Sequence, residues 1–231
     1  MRQLKWATLL LLLLIIPVIT SGSELIPHQG ITKIWTWGDG GERKFLCTGF
    51  YIEPQLGLAG AWFVSAGHCL SGQLAGRETT FSVIDWRAAL MTRYTRLTLD
   101  VAIASLPDPR NVSDQFRFAL AKKPESGKAG MVYGFYKGNE VAVPIVVGAE
   151  VEDLAGTWAL YAPYSSLGPG NSGSPVVIGG QVVGIVWGGP TILGLPFQNP
   201  DGTMTVYFTP VTVLHELIGL MGGLQGASDG N

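Results

Sequence analysis

The amino-acid sequence predicts an all-β protein, assembled from many short strands that are connected by turns. Glycine and proline account for 32 and 14 of the 231 residues, while only 14% of the residues are charged. This composition favours short strands and turns over long helices. Alternating or β-branched runs, such as residues 34–37 and 176–178, lie beside glycine-rich stretches, and a helical pattern closes the chain.

A signal peptide is predicted at residues 1–22. Arg2 and Lys5 form a basic start, residues 9–16 are an unbroken apolar run, and small residues follow at 20–23. This order is typical of a secretory signal. The apolar stretch is close to the lower length limit of a membrane span, so an uncleaved N-terminal anchor is the alternative. In either case we expect an exported protein, secreted or periplasmic, with membrane attachment only if this segment is not cleaved.

Charge and cysteine content narrow the classes of partner and cofactor. The chain has 15 Lys and Arg residues against 17 Asp and Glu, a formal net charge of −2, which gives no electrostatic basis for binding nucleic acid. Its two cysteines, Cys47 and Cys69, favour a disulfide in an exported chain, although two buried free thiols are the alternative. No cluster of cysteine and histidine has the spacing of metal ligands, so we expect neither a metal ion nor a cofactor.

The first half of the chain, residues 30–110, is predicted to be a unit of β-strands. These strands span residues 34–37, 45–52, 61–70 and 98–106. The third strand ends in His68, which a disulfide at Cys69 would brace as a catalytic base requires, although a lone histidine is more often structural. Asp100 heads the fourth strand, where it is either a turn residue or a buried carboxylate that needs a hydrogen-bonding partner such as a histidine N–H.

The second half, residues 125–221, is predicted to form strands again, after a connecting passage over residues 107–128. These strands span residues 131–136, 140–147, 157–162, 176–178, 181–189 and 204–208. Gly179 and Gly180 join two of them as a two-residue hairpin. A closing helix is predicted with Thr209 as N-cap and Pro210 as its first residue.

The closing helix is predicted to pack one apolar face on the sheet. Val211, Leu214, Leu217, Ile218 and Met221 share this face. His215 lies on or beside it, where packing or solvent contact is expected rather than chemistry. Two consecutive glycines at 222 and 223 are expected to end the helix, which leaves residues 222–231 as a flexible tail.

The stretch from 168 to 175 is the main candidate for chemistry. Glycines on both sides of Ser172 permit a tight turn that exposes a nucleophilic hydroxyl. The N–H groups of Gly170 and Ser172 are candidates for an oxyanion hole. Because Pro175 and the β-branched residues after it favour extended chain, this serine is expected to lead into a strand. The alternative is a glycine- and serine-rich surface loop.

Three motifs together resemble the chymotrypsin-like (trypsin-like) serine peptidases, in the style of secreted bacterial members. The sequence around His68 (Ser-Ala-Gly-His-Cys), the segment that begins at Asp100 (Asp-Val-Ala-Ile) and the stretch around Ser172 (Gly-Asn-Ser-Gly-Ser-Pro) occur in the order of that family's triad. Cys47-Thr48-Gly49-Phe50 is similar to the family's first half-cystine strand. The resemblance implies two antiparallel six-stranded β-barrels with the site between them.

The resemblance assigns a role to each motif residue. Ser172 would be the nucleophile, His68 the general base and then the general acid, and Asp100 the group that orients His68. Gly170 and Ser172 would supply the oxyanion-hole N–H groups. The implied activity is that of a serine endopeptidase, which acts on polypeptides through an acyl-enzyme.

Departures from the family pattern bear on activation and specificity. Members activated by N-terminal cleavage carry an aspartate just before the serine, whereas this chain has Asn171. A neutral amide cannot form that ion pair, so we expect no zymogen activation of this kind. Ser166 resembles the residue at the base of the S1 pocket, and it is uncharged. Trp187 with Gly188 resembles the segment that pairs with the substrate backbone. Thr205 stands where many members have glycine, which suggests a small or medium apolar side chain in S1.

Two other functions fit parts of the sequence. An α/β-hydrolase esterase would use Ser172, Asp201 and His215, which follow that fold's order. The strand expected after Ser172 disfavours it, because that fold requires a helix there. A catalytically silent binding protein on the peptidase fold is the second alternative, since a fold does not determine a function.

Overall fold

The computed structural model describes residues 30–37, 42–53, 62–71, 80–81, 92–96, 99–105, 117–192 and 195–228. The predicted signal peptide lies outside these ranges. Across the described part of the chain, strands predominate, as the composition predicted. No helix within it is long and apolar enough to cross a bilayer.

The first half forms a six-stranded antiparallel sheet. Its strands are β1 Ile31–Trp37, β2 Arg43–Ile52, β3 Trp62–Ser65, β4 Thr80–Phe81, β5 Thr92–Arg96 and β6 Leu99–Ser105. They are arranged in the order β4-β1-β2-β3-β6-β5. A short helix, α1 Gly67–Ser71, follows β3 directly. The predicted strand over residues 61–70 therefore ends earlier than expected, and His68 lies on this helix.

The second half forms a closed six-stranded barrel. The strands of this half are β7 Ala119–Leu120, β8 Ala129–Tyr136, β9 Asn139–Glu150, β10 Trp158–Pro163, β11 Pro175–Ile178, β12 Gln181–Gly188, β13 Thr191–Ile192, β14 Leu195–Pro196 and β15 Thr203–Pro210. The barrel order is β11-β8-β9-β10-β15-β12, and the pairing of β11 with β12 closes it. Gly179 and Gly180 have φ values of 54° and 79° at the β11–β12 turn, which confirms the predicted hairpin.

A shared apolar core joins the two halves. One cluster of buried side chains combines Phe50 and Trp62 of the first sheet with Tyr133 and Ile185 of the barrel. It also includes Leu214 of the closing helix. A second cluster, from Val132 to Phe208, fills the barrel interior. Burial of these side chains is the main favourable term in folding, and the shared cluster fixes the two halves against each other.

The connecting passage contains structure that the sequence did not predict. Phe118 forms a parallel bridge with Ile52 at the end of β2, and its N–H donates to the Tyr51 carbonyl at 2.9 Å. The next two residues form β7, which pairs in parallel with β12 of the barrel. The end of the passage is therefore attached to both halves.

The closing helix, α2 Val211–Ser228, differs from its prediction at both ends. Pro210 is the last residue of β15 and pairs with Gly184, so it does not begin the helix. The glycines at 222 and 223 do not end the helix, which continues to Ser228. Four predicted face residues, Val211, Leu214, Leu217 and Ile218, are buried. The His215 Nε2–H donates to the Ala121 carbonyl at 2.8 Å, in the structural role expected for this histidine.

Candidate active site

Ser172 lies on a tight turn that leads directly into strand β11. The Asn171 N–H donates to the Gly168 carbonyl at 3.0 Å, and the Ser174 N–H donates to the Asn171 carbonyl at 2.9 Å. The Asn171 side chain closes the turn further, because its Oδ1 accepts the Gly168 N–H at 2.9 Å. The turn is followed by a strand, as the proline and valines predicted, and not by a helix.

Two glycines of the turn have backbone conformations that other residues rarely adopt. Gly170 has φ of +101° and Gly173 has φ of +85°. A Cβ on Gly170 would lie 2.2 Å from the Phe45 ring, and one on Gly173 would lie 2.0 Å from the Thr48 carbonyl oxygen. Both positions therefore require glycine for conformation and for space.

The two predicted oxyanion-hole donors have no hydrogen-bond partner among the described residues. The Pro169 carbonyl accepts the Lys137 N–H at 3.2 Å. Since C=O and N–H point in opposite directions across a trans peptide, the Gly170 N–H is directed away from Lys137. The N–H groups of Gly170 and Ser172 are thus unpaired within the described part of the chain, as oxyanion-hole donors must be.

His68 and Asp100 are joined by two contacts. The His68 backbone N–H donates to Asp100 Oδ1 at 2.7 Å, and His68 Nδ1 contacts Asp100 Oδ2. Helix α1 and strand β6 approach closely here, because a Cβ on Gly67 would lie 2.7 Å from Asp100 Oδ1. Asp100 therefore fixes the ring through Nδ1 and leaves Nε2 as the nitrogen able to exchange a proton with a substrate or nucleophile.

The exposure of this pair suits contact with a ligand. The side chains of His68 and Asp100 are 47% and 24% exposed. The imidazole is thus open to the solvent side while the carboxylate behind it is largely covered. The sequence predicted that a histidine N–H would pair with the Asp100 carboxylate. His68 is that partner in the structure.

The Ser172 turn docks on strand β2 of the other half. The Thr48 N–H donates to the Ser172 carbonyl at 2.9 Å, and Thr48 Oγ1 donates to the Gly170 carbonyl at 2.7 Å. Ser65 Oγ in turn donates to the Thr48 carbonyl at 2.7 Å. These bonds bring the turn against the β3–α1 corner at Ser65, three residues before His68.

The predicted disulfide is present and braces this region. Cys47 and Cys69 are bonded with an S–S distance of 2.04 Å. The bridge ties the residue before Thr48 to the residue after His68. In the chain-entropy account, closing a loop of this length contributes about 3 kcal/mol to stability.

The Ser172 hydroxyl is not hydrogen-bonded to His68. Its Oγ donates instead to the Trp187 carbonyl at the long distance of 3.4 Å. His68 Nε2 lies 3.6 Å from Cys69 Sγ. The structure thus joins His68 to Asp100 and brings the Ser172 turn to the same region, but the contact between nucleophile and base is not formed.

A pocket opens beside Ser172, with a cavity volume of about 310 Å³. Its walls are mostly apolar, and none of the described lining residues is charged. The lining residues are Leu167, Gly168, Pro169, Asn171, Ser172, Val186, Gly188, Gly189, Pro190, Thr191, Pro196, Met204, Thr205 and Val206. The pocket therefore includes Gly188 and Thr205 from the sequence prediction. Leu167, Val186, Met204 and Val206 were not predicted, although their apolar character in or beside strands was the available signal.

Two residues that were predicted to bind substrate, Ser166 and Trp187, are not among the residues that line the pocket. Ser166 does not line the pocket, because its hydroxyl donates to the Pro163 carbonyl at 2.6 Å and closes a turn. Trp187 also lies outside the lining, and its ring packs on Tyr207 with centroids 5.6 Å apart. The β12–β15 register shifts between Val186 and Gly188, so Trp187 is the extra residue at this shift. Its carbonyl faces the Ser172 hydroxyl, at the site but not in the pocket wall.

Asn171 is 1% exposed and forms no ion pair. While Oδ1 accepts the Gly168 N–H, its Nδ2 has no hydrogen-bond partner among the described residues. A buried carboxylate at this position would need a cation. The amide meets the needs of the turn through a neutral hydrogen bond instead.

One cluster of metal-ligand residue types occurs in the described part of the chain. The ligand atoms of Cys47, His68 and Cys69 lie within 4.8 Å of one another. The two sulfurs are bonded to each other, so neither is a thiolate that could bind a metal ion.

The residues of the esterase alternative do not form a triad. His215 Nε2 is bound to the Ala121 carbonyl, and Asp201 accepts hydrogen bonds from the Thr203 side chain at 2.7 Å and backbone at 3.0 Å. These bonds from the Thr203 side chain and backbone N–H lower the pKa of the Asp201 carboxyl below its ordinary value. His215 thus holds the closing helix against Ala121, and Asp201 stabilises a turn. The esterase alternative is therefore not supported.

Comparisons of the sequence and of the structure with known proteins both point to peptidases. The sequence profile of the trypsin-like peptidase domain matches residues 47–185, which is more than half of the chain. The fold is similar to the inactive form of a serine-to-alanine mutant of Rv3671c from M. tuberculosis H37Rv, at 18% identity and a TM-score of 0.56, with 86% of this chain and 89% of that chain covered. It is also similar to the active form of the Rv3671c protease from M. tuberculosis, at 20% identity and a TM-score of 0.53, with 80% and 77% covered. A comparison with curated protein sequences gave no significant match.

These similarities confirm the predicted fold class, an all-β double barrel of the chymotrypsin-like type with a C-terminal helix.

The close approach of the Ser172 turn to Thr48 can be tested by paired glycine substitutions. Gly173→Ala and Gly180→Ala both place a side chain at a similar positive φ, which costs about 1–2 kcal/mol. Only Gly173→Ala also meets the Thr48 carbonyl, so we expect it to lower the free energy of unfolding by at least about 2 kcal/mol more than Gly180→Ala. Urea denaturation of both variants measures this difference, and equal destabilisation would contradict the docking.

Proposed function

Since this chain belongs to the trypsin-like peptidase domain family, we propose that it is a serine endopeptidase that uses Ser172, His68 and Asp100. The observation that carries the proposal is the two-point contact of Asp100 with His68. It lies beside a serine turn whose two N–H donors are unpaired among the described residues. Acyl transfer requires these parts together: a nucleophile, an oriented base and donors for the developing oxyanion.

In the proposed reaction, the Ser172 hydroxyl rotates from the Trp187 carbonyl toward His68 Nε2. His68 accepts the hydroxyl proton as Oγ attacks the carbonyl carbon of the substrate, and Asp100 stabilises the resulting imidazolium. The N–H groups of Gly170 and Ser172 bind the oxyanion of the tetrahedral intermediate. The imidazolium then protonates the leaving amine, which yields the acyl-enzyme, and water releases the acyl group by the same steps.

The Ser172 hydroxyl is only weakly held in its present direction. The bond from Ser172 Oγ to the Trp187 carbonyl is long, at 3.4 Å, and therefore weak. In enzymes without bound substrate, hydrogen bonds between nucleophile and base are often loose and tighten when substrate binds. We infer that substrate binding at the Trp187 segment competes for this carbonyl and releases the hydroxyl.

We propose that activity does not depend on insertion of a newly cut N-terminus. The residue before Ser172 is a neutral amide that already satisfies the turn through Gly168. A cation would find no carboxylate at this position. The chain would therefore be active once folded and exported to an oxidising compartment, where its disulfide forms.

The pocket supports a preference for a small or medium apolar residue at P1, the position before the cleaved bond. The residues described in its walls carry no charge that could bind lysine or arginine. Thr205 lies in the wall, and its hydroxyl shares hydrogen bonds with Asn199 at 3.2 and 3.4 Å. This threonine occupies space that a longer or aromatic P1 side chain would need.

The nucleophile is tested with Ser172→Ala. We expect kcat/KM for peptide hydrolysis to fall by about 10⁵–10⁶ and labelling by a fluorophosphonate to disappear. Because neighbouring Ser174 is buried, Ser174→Ala is the matched control. This variant should keep both peptide hydrolysis and fluorophosphonate labelling. A folded wild-type protein that is never labelled would instead favour the silent binding protein, in which the Ser172 hydroxyl stays on Trp187.

The acid is tested with Asp100→Asn. Loss of the carboxylate that fixes the imidazole tautomer is expected to lower kcat by about 10⁴. Asp201→Asn is the control, since this exposed carboxylate lies on a turn outside the proposed triad, and it should leave steady-state kinetics unchanged. Full activity of Asp100→Asn would exclude Asp100 as the orienting group.

The role of Thr205 is tested with Thr205→Gly. Widening the wall should shift the ratio of kcat/KM values for P1 Phe over P1 Val upward by roughly tenfold or more. Thr203→Val disturbs the same hydrogen-bond group at Asn199 without changing the pocket lining, and should not shift this ratio. An unchanged preference in Thr205→Gly would show that another residue limits the pocket.

A further inference from the structure

We propose that Thr48 is a positioning residue that holds the oxyanion-hole donor of Gly170 in its active direction. This inference rests on the proposed peptidase function and concerns how that function is supported. The geometry points to Thr48 because this one residue of β2 binds the Ser172 turn at two places through two different groups.

The backbone bond of Thr48 would be formed by almost any residue. Its N–H donates to the Ser172 carbonyl at 2.9 Å, and this contact fixes how far the turn lies from β2. The side-chain bonds require a hydroxyl. Oγ1 donates to the Gly170 carbonyl at 2.7 Å and accepts the Phe135 N–H at 3.0 Å.

The Phe135 contact sets the direction of the hydroxyl proton. A threonine hydroxyl has one hydrogen to donate and two lone pairs to accept. Because the Phe135 N–H can only donate and the Gly170 carbonyl can only accept, the single hydroxyl hydrogen is directed to Gly170. Thr48 is fully buried, so water does not compete for either bond.

The hydroxyl acts on Gly170 because both peptide groups of this residue are fixed from outside the turn. The preceding carbonyl, of Pro169, accepts the Lys137 N–H at 3.2 Å, and its own carbonyl accepts Thr48 Oγ1. A glycine at φ of +101° has wide rotational freedom without such anchors. Removing the Thr48 hydroxyl frees the peptide group that follows Gly170, so the peptide group that carries the Gly170 N–H is then held only by the Lys137 bond to the Pro169 carbonyl and is less firmly directed.

This arrangement explains how the turn is held without an ion pair. Asn171 carries no charge, and its Nδ2 has no hydrogen-bond partner among the described residues. Among the described residues, the hydrogen bonds that attach the turn to the other half are the neutral ones from Thr48. Such bonds form on folding and need no new N-terminus.

The experiment compares Thr48→Val with Thr48→Ser. Valine preserves the shape and backbone N–H but removes the hydroxyl, whereas serine preserves the hydroxyl. We expect Thr48→Val to lower kcat by about 10²–10³, as loss of one oxyanion donor does, with KM changed less than about threefold. The affinity for a peptide aldehyde, which forms a tetrahedral adduct, should fall by the same factor as kcat/KM. Thr48→Ser should stay within about fivefold of wild type in all three quantities.

Thr209→Val is the matched control for a buried threonine. Its hydroxyl has no hydrogen-bond partner among the described residues, so its loss should change neither kcat nor aldehyde affinity. Thermal unfolding of each variant verifies that the assays are made on folded protein. If Thr48→Val does not fold, Thr48→Ala is assayed in its place, and a failure of both to fold would overturn a positioning role in favour of a purely structural one.

The outcomes separate this inference from the proposed function. A wild-type protein that neither cleaves peptides nor reacts at Ser172 would end the proposed function itself. An active wild type with Thr48→Val at full kcat, or with Thr48→Ser as impaired as Thr48→Val, would overturn the role of the Thr48 hydroxyl alone.

Discussion

The contact between the Ser172 turn and strand β2 is the constraint on which the site depends. The candidate groups come from both halves of the molecule, with His68 and Asp100 in the first half and Ser172 next to the barrel. Apolar burial fixes the halves together, but it is non-directional and does not set a hydroxyl and an imidazole in register. The hydrogen bonds of Thr48 are directional, and they hold the turn that carries Ser172 on strand β2.

The other features of the site reinforce this contact from either side. The disulfide attaches the residue before Thr48 to the residue after His68. On the turn, Gly173 allows the chain to approach Thr48, and Gly170 adopts the left-handed conformation that leaves its N–H unpaired. Substitutions at these positions should therefore affect one another, since they act on a single arrangement.

Much of the fold followed from local pattern, because alternation, turn glycines and the Pro175 strand signal act over a few residues. The pairing of His68 with Asp100, implied by family resemblance, is present in the structure. Predictions from short-range patterns were wrong where contacts between distant parts of the chain determine the local structure. Pro210 stays in β15 because it pairs with Gly184, and Ser166 turns away from the pocket to cap a turn.

Thr48 could not be singled out from sequence, because its importance comes from partners 87 and 122 residues away. The one signal in the sequence for this role was a polar residue, Thr48, directly after the half-cystine Cys47 in the otherwise apolar predicted strand over residues 45–52. The pocket walls were missed for the same reason, since apolar residues in strands are equally suited to any core. Their role becomes apparent only when the barrel closes next to the serine turn.

The most direct test of the account is a crystal structure of the protein after reaction with a peptidyl phosphonate that carries an apolar P1 residue. We expect phosphorus bonded to Ser172 Oγ and its oxygen about 3 Å from the backbone nitrogens of Gly170 and Ser172, with Thr48 Oγ1 still on the Gly170 carbonyl. An unmodified Ser172 in folded protein, or a phosphonyl oxygen directed away from both N–H groups, would contradict it.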